Sequence, residues 1–314
     1  MKKKYNIAVN ELKNKNIILS GQPKAGKTFL NEVVSSMGEA NIINMDFFFE
    51  NLNFYYKNND LSFENFKHLI RLFVKINFRN NLFGRNINFK YEEESSIWKT
   101  NNPQYFFNSI FEKKSKKKII NTINKKKGLF FLSLHNALSY CDVLLDALPK
   151  ILLLNIISHP IDQIYSMHTN KTYIHGYNPL GSVVDYRYKK KIYPVFFMGY
   201  ENLYDTSNNM EKCLILKMKF NQEEKKIKSF FLLNIYYEDF FMNHEVTIKK
   251  IAAFLNLKKT LKTREIFLSS NFYKRENDLK NRNKKLDFIK KNISKNYYSS
   301  LDNLVNEYVL KKKL

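Results

Sequence analysis

Residues 16–34 read Asn-Ile-Ile-Leu-Ser-Gly-Gln-Pro-Lys-Ala-Gly-Lys-Thr-Phe-Leu-Asn-Glu-Val-Val, and the octapeptide Gly21-Gln22-Pro23-Lys24-Ala25-Gly26-Lys27-Thr28 inside them decides the fold. The apolar run 16–20 predicts a strand, and Phe29 to Val34 has helical spacing. A strand, a glycine-flanked loop and a helix form the context in which backbone amides and a helix N-terminus cradle a phosphate. Gly21 and Gly26 let the chain bend around the anion, while Lys24 and Lys27 bring positive charge to the same place. The stretch satisfies the Walker A pattern G-x-x-x-x-G-K-[ST] at every fixed position, which makes an ATP-dependent kinase or NTPase one reading.

Working outward, 314 residues suffice for a sizeable core, and we expect a single domain over residues 1–314. No apolar run reaches eighteen residues, so a membrane span is not expected. The basic start Met1-Lys2-Lys3-Lys4 is not followed by the apolar stretch of a secretory signal. Cys141 and Cys213 lie in apolar surroundings without metal-ligand spacing, so reduced, buried thiols in a cytoplasmic protein are expected. The net charge of +24 raises nucleic acid as a partner, but only seven of the 53 basic residues are Arg. Arg is the side chain that reads bases and clamps phosphates bidentately. Lysine spread through a chain rich in Asn, Ile, Phe and Tyr points to biased codon usage rather than a binding stripe. The Lys runs at 113–118 and 125–127 therefore read as solvated surface, and no nucleic-acid partner is expected.

Residues 41–46 predict a second strand ending in Asp46. From 47 to about 127 the chain is polar, aromatic and irregular, with helical spacing near 63–73 and 105–111, and reads as an insertion on the core rather than a separate domain. Residues 128–134 predict a strand, 138–148 a helix and 150–157 a strand buried on both faces. A helix follows over 161–170, and the Gly- and Pro-bearing stretch 172–194 reads as a loop. Two further strands are predicted at 212–217 and 229–236, a helix at 244–255, and a charged helical segment at about 277–314. Strands alternating with helices predict an α/β fold with a mostly parallel central sheet and helices on both faces.

A kinase needs an acid at a strand end to hold Mg²⁺, and Asp46 is the candidate. The most apolar strand ends instead in Ser158-His159-Pro160, with no acid. Four segments in order carry a different resemblance. The loop also fits P-K-x-G-x-T, with Pro23, Lys24, Gly26 and Thr28. The stretch 150–167, KILLLNIISHPIDQIYSM, resembles a strand running into R-[DN]-P-x-D-x-x-x-S, with Pro160, Asp162 and Ser166 in matching places. Tyr236-Tyr237-Glu238-Asp239-Phe240, then Ile251 to Leu257, resemble Y-E-D-L … I-x-x-F-L-G-L. His135 stands at a strand end some twenty residues before the second segment.

Together these resemble the bacterial-type P-loop sulfotransferases over roughly 14–37 and 128–260. The resemblance implies a nucleotide-kinase-like α/β architecture. It also implies sulfonate transfer from 3′-phosphoadenosine 5′-phosphosulfate to an acceptor hydroxyl or amine, with no metal expected. By the same resemblance Gln22, Pro23, Lys24, Ala25, Gly26, Lys27 and Thr28 hold the 5′-phosphate, and Lys24 is the catalytic lysine. His135 is the base, and Ser158 and Ser166 face the 3′-phosphate. The acceptor is left open among small molecules, glycans, lipids and peptides. Two departures stand out: Ser158 replaces the family's arginine, and Lys27 replaces its Thr or Ser. His159, Lys171, Lys274 and Arg275 are candidates to compensate for the first. A catalytically silent, anion-binding relative is the remaining reading. His135 reads equally as hydrogen-bonded scaffolding, with His159, His168 and His175 as competitors, and Ser158 as a helix N-cap.

Overall fold

The computed structural model describes residues 15–38, 43–45, 48–93, 95–104, 107, 129–148, 150–171, 173–174, 184–224, 227 and 230–313. Asp46, His175, the residues 108–111 and both Lys runs at 113–127 lie outside them.

In chain order the elements are β1 (Lys15–Gly21), α1 (Lys27–Ser35), β2 (Ile43–Met45), α2 (Phe48–Lys57), α3 (Phe63–Leu82), β3 (Leu129–His135), α4 (Cys141–Ala147), β4 (Ile151–Ile157) and α5 (Pro160–Asn170). Then come β5 (Asp185–Tyr188), β6 (Lys191–Pro194), α6 (Glu201–Thr206), α7 (Asn209–Glu223), β7 (Leu232–Tyr236), α8 (Asp239–Met242) and α9 (His244–Leu255). The C-terminal helices are α10 (Leu261–Phe267), α11 (Ser270–Lys280), α12 (Arg282–Asn292) and α13 (Tyr298–Lys313).

The main sheet runs β2-β3-β1-β4-β7, all neighbours parallel. Alternate residues of the central strands feed two cores. Ile17, Leu19, Phe131, Leu154 and Ile156 pack with α1, α9 and α10 on one face. Ile18, Phe130, Leu132, Leu134 and Leu153 pack with Phe49 of α2, Phe66, Ile70 and Val74 of α3, and Val143 and Leu144 of α4 on the other. A period of two with both faces apolar is what a sheet covered on both sides requires. Residues 48–82, part of the stretch expected as an insertion, thus supply much of one core. A third apolar cluster joins α5, α7, α12 and α13 through Ile164, Met167, Leu214, Phe220, Ile289 and Leu301.

Two expectations fail here. Residues 212–217 are not a strand but the middle of α7, which opens with a capping box between Asn208 and Glu211. A short apolar run such as Cys213-Leu214-Ile215-Leu216 serves a buried helix as well as a strand, and periodicity alone does not separate them. Within the expected loop 172–194, β5 and β6 form an antiparallel hairpin turned by Lys189 and Lys190, both at positive φ (45° and 68°). That turn normally advertises itself as Asn-Gly, and two lysines hide it. Both cysteines are buried and form no disulfide.

Candidate active site

β1 is the central strand, with β3 on one side and β4 on the other. Chain order reverses across it, and ligands of open α/β sheets bind in the crevice at the carboxyl ends of such strands. Register places Gly21 beside His135 of β3 and Ile156 of β4, and Ile157 beside Tyr236 of β7. The loop, His135, Ser158 and Tyr237 therefore meet at one end of the sheet. They line a cavity of about 400 Å³ together with Lys24, Gly26, Lys27, Thr28, Asp162 and Ser166.

The loop is shaped by close approach. A Cβ on Gly21 would stand 2.6 Å from Ile156 Cγ2. Gly26 has φ +96° and its Cα faces the Tyr237 ring, so only glycine fits. Gly26 caps α1, and the first amides of any helix lack intrahelical acceptors, which suits an anion. Behind the loop, Gln22 is gripped on both ends of its amide. Its Nε2 donates to Asn221 Oδ1 (3.0 Å) and Glu224 Oε1 (2.7 Å), and its Oε1 accepts from Lys217 Nζ (2.6 Å) and Gln163 Nε2 (3.2 Å). Gln163 Nε2 also donates to Pro23 O at 2.8 Å. Lys217, Asn221 and Glu224 are spaced i, i+4, i+7 on α7 and its C-cap, so a helical reading of 209–224 would have revealed this polar stripe.

His135 is paired with Glu50 of α2, which the sequence reading missed. Glu50 Oε1 accepts from the His135 backbone N–H at 2.7 Å and lies 2.8 Å from Nδ1. Burial opposes ionisation of Glu50, but the His135 ring and amide and the charge of Lys27 outweigh it and hold the carboxyl below the ordinary glutamate value. A carboxylate on Nδ1 fixes the ring and directs proton transfer through Nε2. In the sequence Glu50 is one acid after an aromatic run, and only the packing of α2 over β3 assigns its partner.

At the other end of the cavity Ser158 is 3 % exposed, and its Oγ has no hydrogen-bond partner among the described residues. It is not the cap of α5. His159 is, its Nδ1 accepting from Ile161 N at 3.3 Å. Burial first, then the neighbouring Arg282, push the His159 pKa down to about 4, so the ring is neutral near pH 7. Asp162 is held by Arg282 (2.6 Å) and Lys285 (3.0 Å), and Arg282 also reaches Glu238 (3.0 Å). Glu238 Oε1 accepts the His159 amide at 2.9 Å, so Glu238 locks the end of β4 to the C-terminal helices. Arg275 lies over the Phe29 ring at 4.7 Å and 3.6 Å from Glu32. Lys171, Lys274 and Arg275 are not among the cavity's lining residues. The structure thus brings Lys24, Gly26, Lys27, Thr28, His135, Ser158 and Ser166 to one cavity, while Gln22 and Pro23 anchor the loop from behind.

No family model matches the chain, and no curated protein matches its sequence. Solved structures that overlap it include a sulfotransferase domain from the curacin biosynthetic pathway (9 % identity, TM-score 0.42, covering 81 % of this chain and 78 % of that one). Another is a sulfotransferase from Mycobacterium tuberculosis H37Rv (13 %, 0.38, 82 % and 71 %). A third is the sulfotransferase domain of the Synechococcus PCC 7002 olefin synthase (10 %, 0.40, 86 % and 83 %). The fold assignment rests on this chain's own sheet order: a parallel α/β sheet with helices on both faces and a glycine-flanked loop leading from its central strand into α1.

Proposed function

We propose that the protein transfers a sulfonate group from 3′-phosphoadenosine 5′-phosphosulfate to an acceptor hydroxyl. The observation that carries this reading is the cavity lined by both the loop lysine Lys24 and His135, whose ring Glu50 holds. The 5′ end of the donor fits: the start of α1, Lys24, Lys27 and the Thr28 hydroxyl offer the donors and charge a phosphate needs. The 3′ end fits in part. Ser158 has an unused buried hydroxyl and Ser166 lines the same wall, but no arginine does. Two hydroxyls hold a phosphate less firmly than a guanidinium.

In the transfer, the acceptor oxygen attacks sulfur as the bond from sulfur to the bridging phosphate oxygen breaks. Lys24 donates to that bridging oxygen as charge gathers on the leaving phosphate. His135 takes the acceptor proton on Nε2, and Glu50 steadies the imidazolium that results.

The test is calorimetric titration with 3′-phosphoadenosine 5′-phosphate and with ATP, each with and without Mg²⁺. Metal-free binding of the bisphosphate, weakened about 10-fold or more in Lys24→Ala, is expected. Binding of ATP alone, dependent on Mg²⁺ and lost in Lys27→Ala, would establish the kinase reading that the Walker pattern favours. Binding of neither would leave the anion-binding relative.

A further inference from the structure

The loop after β1 opens with a tight turn, Gln22-Pro23-Lys24-Ala25, closed by the Ala25 amide donating to the Gln22 carbonyl at 3.1 Å. Proline fixes φ at about −65° in the second position, and Lys24 in the third has φ 62°. Negative then positive φ makes this a type II turn, whose third position ordinarily belongs to glycine or asparagine. A lysine there favours the type I form, with φ negative, by about 5- to 30-fold. The two forms differ by a flip of the peptide joining the second and third residues, so the direction of the Pro23 carbonyl decides between them.

Gln163 of α5 holds that carbonyl. The side chain is 1 % exposed, and its Nε2 donates to Pro23 O at 2.8 Å and to Gln22 Oε1 at 3.2 Å. Both of its N–H donors are thereby spent on the turn. Its own Oε1 is buried and has no hydrogen-bond partner among the described residues. An apolar side chain would fill the same space without an orphaned oxygen, so what a glutamine adds here is its donor end. Gln22 Oε1 also accepts from Lys217 at 2.6 Å and keeps that donor without Gln163, which leaves the form of the turn as what Gln163 controls. Asp162 and Ser166 of the same helix line the ligand cavity, so α5 sets both the turn and the wall beyond it.

The geometry points to Gln163 as the positioning residue of Lys24: by holding the Pro23 carbonyl it selects the type II turn and so keeps the lysine on the cavity wall. The use of Lys24 in transfer rests on the sulfonate-transfer reading, but the control of the turn does not. In a type II turn the Pro23 Hα lies against the amide proton of residue 24, and in a type I turn it does not, so the nuclear Overhauser effect between them reports the form. It is read on the full chain labelled in proline and lysine, where Pro23–Lys24 and Pro149–Lys150 are the two Pro–Lys pairs. Wild type gives a strong effect at 23–24. Gln163→Met, similar in length and without a donor, loses it and binds 3′-phosphoadenosine 5′-phosphate about 5- to 30-fold more weakly, because only the type II fraction is competent. Gln163→Leu repeats both results with a different shape. Glycine holds the type II form unaided, so in a Lys24→Gly background, labelled in proline and glycine, Gln163→Met leaves the effect in place and changes affinity by less than about twofold. A strong effect that survives in Gln163→Met overturns the proposal, since the turn then holds itself. An equal loss of affinity in the glycine background overturns it too, since Gln163 then acts through packing. Failure of wild type to bind the bisphosphate, by contrast, defeats the transfer reading alone, and the Overhauser effect still tests the turn.

Discussion

Replacing Lys217 by Met should stabilise the fold and weaken the anion site together. Lys217 is 4 % exposed, behind the loop, with its ammonium on Gln22 Oε1. Burial pushes its pKa from 10.5 down to about 8; Glu224 and Glu307 act the other way and Lys311 adds to the fall. Below pH 8 the group is protonated in both states, and the folded state bears the whole cost of holding the charge. Such a displacement is worth about 3 kcal/mol. Between pH 8 and 10.5 the unfolded chain binds a proton the folded one lacks, so stability rises with pH and the cost disappears. Met keeps the apolar stem and discards the charge, at the loss of one hydrogen bond worth about 1 kcal/mol. The expected gain at pH 7 is about 2 kcal/mol, read from urea unfolding at pH 7 and pH 10. Lys219, also lowered to about 8 by burial, contributes a slope of its own, so the comparison is the difference between variant and wild type. The bisphosphate should bind the variant about 5- to 10-fold more weakly, because Gln22 loses a grip that sets the loop. A variant less stable than wild type at pH 7, or one with an unchanged slope between pH 8 and 10.5, refutes the reasoning.

Three further outcomes follow from the site. Glu50→Gln should lower the rate of single-turnover transfer about 100-fold with little change in bisphosphate affinity, since it removes the charge behind the base and leaves the loop intact. The stabilisation that an ionised Glu50 provides is present above its ordinary value of 4.5 and is lost as pH falls through its lower folded value. Urea unfolding of wild type should therefore weaken more steeply below pH 4.5 than that of the Gln variant; parallel curves would mean Glu50 is not charged in the fold. Ser158→Arg should tighten 3′-phosphoadenosine 5′-phosphate about 10- to 100-fold by calorimetry while leaving adenosine 5′-phosphate within about twofold. An equal gain for both ligands would place the 3′ end of the donor away from β4.

The parts of this fold that were legible are those in which one local rule is enough. β1, β3 and β4 are apolar on both faces, and no surface strand or amphipathic helix reads that way. The loop after β1 is fixed by its glycines, and α9 by spaced Val246, Ile248, Ile251 and Leu255. What escaped depends on tertiary context. α7 is buried on most sides, so its apolar run lost the periodicity that marks a helix, and with it went the stripe of Lys217, Asn221 and Glu224. Glu50 is defined as a site residue only by a strand 85 positions away in the chain. Ser158, just past β4, and Ser166, on α5, line the same cavity from one contiguous stretch of chain.

Lys27 is where the kinase and sulfotransferase patterns diverge, and its surroundings bear on which applies. It is buried at the first position of α1, and its charge helps keep Glu50 ionised, whereas Lys24 is exposed at the loop's left-handed corner (φ 62°) on the cavity wall. The two lysines thus have different surroundings: Lys24 is exposed on the cavity wall, and Lys27 is buried where its charge acts on the Glu50 that holds His135. Under the transfer reading a lysine here has a use that Thr or Ser would not, because it stabilises the carboxylate behind the base while adding charge beside the 5′-phosphate. Its removal should then cost both functions at once. Lys27→Ala is expected to weaken bisphosphate binding and also to reduce the acid sensitivity of stability that Glu50 confers, by making ionised Glu50 harder to hold. A kinase lysine devoted to phosphates alone would lose the first and spare the second, so unfolding curves at pH 7 and pH 4 on Lys27→Ala separate the two roles without any need for a known acceptor.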